Sequence, residues 1–164
     1  MICRKAPSST PVRSTKCVPM PNGCPVPNTI PFRLVTPQEV AFEGQAELVI
    51  AVTTEGEEGI LPSHAPFLAA LKPGVLRANV VTEGQTSRLE LATSEGFMQA
   101  LPDRVTVLVD EAVRFEDVVV AKTREDLAEA TERQKAAAPG GEPFAREQAV
   151  IDFANAKLRL TGHS

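Results

Sequence analysis

The sequence predicts an α+β chain: an N-terminal antiparallel β-sandwich followed by a C-terminal two-helix antiparallel hairpin. Three observations carry this expectation. Residues 32 to 110 are short apolar runs separated by turn residues, the spacing of a sandwich or barrel. Residues 115 to 137 contain neither Gly nor Pro and are rich in Ala, Glu, Lys and Arg, which favours helix. Residues 139 to 143, Pro-Gly-Gly-Glu-Pro, then interrupt it before a second run with apolar residues at helical spacing. The expected division is a Pro-rich basic extension over 1–30, the sandwich over 31–111 and the hairpin over 112–164.

Composition narrows the function classes. There is no Trp or Tyr and only seven Phe, so the core must come from Val, Leu, Ile and Ala. No apolar run reaches the roughly 18 residues of a membrane span, so no membrane insertion is expected. The net charge of −4 argues against nucleic-acid binding. Cys3, Cys17 and Cys24 fit no CxxC or zinc spacing, and their odd number argues against a disulfide scaffold. His64 and His163 are the only histidines, so no metal site is expected. A reducing cytosol is the simplest compartment.

The elements follow in order. Residues 1 to 31 hold half of the fourteen prolines and no acidic residue. The absence of an apolar segment excludes a secretory signal there. A disordered extension is expected; a transit peptide, or an over-long gene start with Met20 as one alternative, are the other readings. Phe32, Leu34 and Thr36 alternate with Arg33 and Val35 until Pro37. Val40 and Phe42 precede Gly44, and residues 46 to 53, AELVIAVT, form a more continuous apolar strand. In residues 75 to 82 Leu76, Ala78 and Val80 share one face. Glu83-Gly84-Gln85 reads as a hairpin turn into residues 86 to 92. Gly96 precedes FMQAL, Pro102-Asp103 turns the chain, and Val105, Val107 and Val109 share a face of the closing strand. In the first helix Val120, Leu127, Ala130 and Thr131 line one side, and Glu129 can pair with Arg133. In the second, from about 144 to 160, Ala149, Phe153, Ala156 and Leu160 form the stripe, and Gly162 is a natural stop. The hairpin carries little apolar area, so its docking on the sandwich should be weak.

The most constrained stretch is residues 55 to 74, EGEEGILPSHAPFLAALKPG. Gly56 and Gly59 permit positive φ, while Pro62, Pro66 and Pro73 lock φ and remove donors. Leu61 and Ala65 precede prolines and are pushed to extended geometry. A helix cannot cross residues 60 to 67. The expectation is a shaped loop carrying His64, packed down through Ile60, Leu61, Phe67 and Leu68. His64 lacks an activated nucleophile and an orienting acid, so no catalytic residue is expected; a ring bonded to loop carbonyls is the favoured role. Glu55, Glu57 and Glu58 are too few for a cation cage.

This stretch resembles the epsilon subunit of F-type ATP synthases, called delta in mitochondria. The matching pieces are Glu55-Gly56-Glu57, Gly59-Ile60-Leu61-Pro62, His64-Ala65-Pro66 and Pro73-Gly74. Ser94-Glu95-Gly96-Phe97 resembles the family's Ser-Gly-Gly-Phe turn, with Glu95 in place of the first glycine. VTVLVD at 105 to 110 and AKLRL near the end also resemble family segments. The resemblance implies a non-catalytic rotor subunit of the central stalk, partnering gamma, the c-ring and the catalytic alpha and beta subunits. It implies rotor contacts at Glu55, Glu57, Gly59, Leu61, Pro62, His64, Ala65 and Pro66. It implies an arm that restrains ATP hydrolysis. Arg133, Lys135, Arg146, Lys157 and Arg159 decorate that arm and have two readings, a solvated helix face with interspersed acids or contacts to an acidic surface of the catalytic subunits. The family's ATP motif falls on residues 118 to 123, where Val119 replaces its aspartate and Lys122 its arginine. No ATP site and no cofactor are therefore expected. The expected location is the cytoplasmic face of a bacterial inner membrane, held peripherally, because the proline-rich tail makes a poor transit peptide; an organellar inner membrane or a thylakoid is the other reading. The alternatives are a free-standing β-sandwich binding module, for which aromatic residues are scarce, and a small hydrolase using His64. Neither explains the helices.

Overall fold

The computed structural model describes residues 28–138 and 140–162. The expectations for the N-terminal extension, its three cysteines and His163 lie outside the described residues. Among the described residues nine strands precede two helices: β1 Ile30–Val35, β2 Val40–Thr53, β3 Gly56–Ile60, β4 Phe67–Leu71, β5 Gly74–Thr82, β6 Gln85–Thr93, β7 Gly96–Leu101, β8 Arg104–Val109 and β9 Ala112–Arg114. A 3₁₀ turn at Phe115–Asp117 leads to α1 Val120–Ala136 and α2 Glu142–Leu160.

The strand order is β1-β8-β7-β4-β2-β5-β6-β9, with β3 on β2 and β1 also paired to β2. β2 thus belongs to both layers of the sandwich. Its first half pairs with β1, its middle with β5 and its last residues with β3. All pairings are antiparallel except β1 with β8, which is parallel. The inward residues alternate as the sequence predicts: Ile30, Phe32 and Leu34 on β1, Leu76, Ala78 and Val80 on β5, Val105, Val107 and Val109 on β8. Aliphatic side chains with Phe32 and Met98 fill this core without Trp or Tyr, and Phe32 stacks obliquely on Phe42 at 5.4 Å.

Several local features differ from the expectation. The two apolar runs at 40–42 and 46–53 are one strand, and Gly44 lies within it. The pairing of β2 with β5 steps from Ala46↔Val80 to Leu48↔Asn79, leaving Glu47 as an extra residue. Such a bulge moves the inward face from Ala46 to Val49 and Ala51, which explains why this segment does not alternate cleanly. Residues 55 to 74 are not one loop: β3 and β4 occupy half of it, and the loop between them is 61 to 66. Gly56 has φ 137°, but Gly59 is an ordinary strand residue. Glu83 and Gly84 both have positive φ, 53° and 81°, as a two-residue primed turn between β5 and β6 requires. β9 lies beyond the expected sandwich limit at 111 and pairs with β6, so the sheet runs to Arg114. The first helix starts at Val120 rather than 115, because the 3₁₀ turn takes the preceding residues.

The hairpin packs through α2. Phe153 and Ala156 are buried against Ala92, with Val75, Val113 and Leu160 alongside. Ala154 and Leu158 are buried as well, outside that cluster. The apolar surface of α2 is therefore wider than the single stripe expected. It lies between the sheet and α1, where Thr123 and Ala130 are the buried residues. Glu129 and Arg133 approach to 3.6 Å, as the i,i+4 spacing predicts.

Candidate functional site

The loop at 61 to 66 is held by its own backbone. The His64 amide donates to Leu61 O at 3.1 Å, closing a turn with Pro62 and Ser63 at its centre. Ser63 has φ 64°, the left-handed region that a type II turn needs at this position and that glycine usually supplies. His64 Nδ1 lies 2.9 Å from Ala65 O, and its ring meets Phe67 edge-on at 6.2 Å. The histidine braces the His-Ala-Pro corner where the chain enters β4. Ile60 packs fully into the core, but Leu61 stays 56% exposed and Leu68 70% exposed, so half of the apolar set expected to pack down faces outward.

The predicted contact residues fall into two places. Glu55 sits in the β2–β3 turn, where its amide is bonded by Thr53 Oγ1 at 3.1 Å, and Glu57 is the second residue of β3. Leu61, Pro62, His64, Ala65 and Pro66 lie beyond the other end of that strand. The five residues of β3 separate Glu55 from Leu61 by roughly 15–20 Å. Glu57 also faces the arm side: it accepts from Arg77 Nη2 at 2.6 Å, and both line a groove of about 430 Å³ with Asp152, Asn155 and Arg159 of α2. Gly59 lies between the two groups, facing Leu48 and Ile50.

The pairing registers expose a surface that sequence reasoning missed. Ala70 pairs with Phe97, Phe97 with Leu108, and Leu108 with Val35. These four make an apolar row across the outer face of β4, β7, β8 and β1. Phe97 is 58% and Leu108 50% exposed. The next row, Leu68, Gln99, Thr106, Arg33 and Glu43, is mostly polar. The clue was available in the outward positions of strands 97–101 and 104–109, where Phe97 and Leu108 stand against the polar expectation. The arm covers the opposite layer, over β5 and β6, so among the described residues no helix lies on this face.

Most of the predicted arm cations are engaged inside the chain. Arg133 reaches Glu147 at 3.1 Å, Lys135 reaches Glu132 at 2.7 Å, Arg146 reaches Glu142 at 2.6 Å and Lys157 reaches Glu111 at 3.3 Å. Arg159 is exposed at the rim of the groove with Glu57. Val119 precedes α1 and is exposed, and Lys122 lies on its first turn, also exposed. Among the described residues no cluster of metal-ligating side chains forms, and no helix is long and apolar enough to cross a membrane.

Comparisons with known proteins agree with this architecture. Residues 29–115 match the family described as "ATP synthase, Delta/Epsilon chain, beta-sandwich domain". The ATP synthase epsilon chain of Xanthomonas campestris is 38% identical over 133 residues, covering 81% of this chain and 91% of that one. The ATP synthase epsilon chain 1 of Methylococcus capsulatus is 40% identical over 131 residues, covering 80% and 91%. The match to the epsilon chain of Chromobacterium violaceum is 42% over 92 residues, and spans only 64% of that relative's length. Among solved structures, a chain of the Euglena gracilis mitochondrial ATP synthase superposes with TM-score 0.66 at 22% identity, covering 94% of this chain and 91% of that one. One from the central stalk and c-ring of the Tetrahymena thermophila enzyme gives 0.57 at 20%, covering 78% and 96%. At those identities the structures establish the shared fold.

Proposed function

The chain belongs to the delta/epsilon family of ATP synthase subunits, and from that premise we propose that it is a non-catalytic rotor subunit of the central stalk. In this reading the sandwich joins gamma to the c-ring, and the helical arm restrains ATP hydrolysis by reaching the alpha and beta subunits. The protein sits peripherally, on the cytoplasmic face of a bacterial inner membrane; the Xanthomonas and Methylococcus relatives, at 38% and 40% identity, are bacterial.

The observation that carries the reading is the open apolar row Ala70-Phe97-Leu108-Val35. A row of this kind on a rigid sheet suits a subunit that must transmit torque without slipping, because packed strands deform little. Its polar neighbour row supplies the rim that interfaces use for register. The braced His64 loop lies at the end of β4 nearest that polar row and suits contact with polar loops of a ring. The acidic turn at Glu55, now separated from it, offers a second electrostatic contact.

Co-assembly tests this. The full chain and a version ending at Phe115, which keeps β9, are each mixed with gamma and the catalytic subunits, then examined by size exclusion and ATPase assay. Both should co-elute stoichiometrically, and the shortened chain should permit faster hydrolysis. Failure of either to bind gamma would overturn the rotor assignment. Equal ATPase rates would remove the arm's restraining role and leave a coupling subunit.

A further inference from the structure

We propose that Lys157 is a salt-sensitive latch that holds the helical arm on the sandwich, with Glu111 as its catch and Phe153 as its seat. Lys157 Nζ lies 3.3 Å from Glu111 Oε1 and 3.9 Å from the centroid of the Phe153 ring. Among the described residues this is the one ion pair joining arm to sandwich; the other arm pairs are internal to the hairpin.

Three features make it a latch rather than an ordinary surface pair. The Lys157 side chain is only 20% exposed, so its charge is partly desolvated, and the aromatic face gives it a second attractive contact. Its partner is pre-positioned: Ser94 N donates to Glu111 O at 2.9 Å, and Glu111 N donates to Ser94 Oγ at 2.8 Å. Glu111 is thereby tied to the β6–β7 turn of the sandwich, not to the arm. Finally, little else competes. The apolar contact beneath is Phe153, Ala156 and Leu160 on Val75, Ala92 and Val113, a small cluster dominated by one large side chain. The hairpin's own packing of α1 on α2, with the Arg133–Glu147 and Gln134–Gln148 bridges, is the more extensive contact. The arm therefore leaves the sheet as a hairpin. The groove around the latch is also lined by Arg133 and Arg146 of the arm and by Glu95 and Asp110 of the sandwich.

This inference concerns the isolated chain and does not depend on assembly with other subunits. The test uses the full chain with Cys3, Cys17 and Cys24 replaced by serine and one reporter, Ala156→Cys, at a position buried in the docked arm against Ala92 of the sheet. Its labelling rate with a thiol reagent is read by mass spectrometry. A second chain carries Ala100→Cys in the sandwich core, reporting global opening. Lys157→Gln and Glu111→Gln should each raise labelling at position 156 about three- to fivefold, and together no more than either alone. Salt raised from about 20 to about 500 mM should speed labelling of the parent but not of the variants. If Ala156→Cys itself loosens the arm, Ala92→Cys on the sheet side gives the same reading. Unchanged labelling, additive single effects, or an equal rise at position 100 would each overturn the latch.

Discussion

At the scale of single residues, two glycines that look alike in sequence have opposite tolerances. Gly96 opens β7 against β8, and an added Cβ there would lie 2.0 Å from Leu108 O and 2.8 Å from Val109 Cα. Backbone of a paired strand cannot yield that distance, so only glycine fits. Gly59 would place a Cβ 3.6 Å from Leu48 Cδ1, an ordinary contact, at a φ any residue adopts. Gly96→Ala should therefore cost about 2–3 kcal/mol of unfolding free energy, while Gly59→Ala should stay within about 1 kcal/mol of the parent. Denaturant titration of both variants would decide it; similar losses would refute the close-approach argument. Ser63 makes the complementary point. It holds a left-handed conformation without being glycine, a strain of about 1 kcal/mol that the Pro62 and His64 geometry sustains.

At the scale of elements, α2 decides how the arm behaves. It is an amphipathic helix with two dry sides, Phe153 and Ala156 towards the sheet, Ala154 and Leu158 adding to the buried surface. Phe153 is the aromatic member of the sheet-side cluster and also seats the Lys157 ammonium. Phe153→Ala should weaken docking by about 2–4 kcal/mol, the range for truncating a buried aromatic at the edge of a core. Residue-resolved hydrogen exchange is the check. Amides of α1 and α2 should lose protection while those of β7 and β8 keep it; equal loss in both would mean that arm and sandwich open as one unit. The bulge at Glu47 is the other element-scale device. It lets one long strand serve both layers by switching which parity faces the core.

For the molecule as a whole, the main core among the described residues contains no helical residue. Every member of the principal buried cluster comes from strands β1 to β8. The sandwich therefore carries its own stability, and residues 28–115 should unfold cooperatively by themselves. Their midpoint should lie within several degrees of the full chain's, since the arm adds only a small cluster. A fragment that stays molten in thermal unfolding followed by circular dichroism would show that the arm completes the core. The same division separates roles: the arm sits over β5 and β6, and the apolar row crosses the other layer. A partner on the row can remain bound whether or not the arm is docked.

Much of this was legible from residue order alone. Alternation placed β1, β5 and β8 with the right faces inward, because a half-buried strand has a period of two. Glu83-Gly84 marked its hairpin because positive φ is cheap there, and the Pro-Gly-Gly break marked the helix turn. The motif from Gly59 to Pro66 pointed to the family. Tertiary structure alone decided the rest, since register and layer contact are long-range properties. It put a strand between Glu55 and His64, so residues close in sequence stand apart. It added β9 through pairing with β6, where three residues carry too little pattern to read. It aligned Ala70, Phe97, Leu108 and Val35, which are scattered along the chain, into one row. And it brought Lys157 to Glu111, 46 residues away, a pairing that only the docking of α2 on the sheet creates.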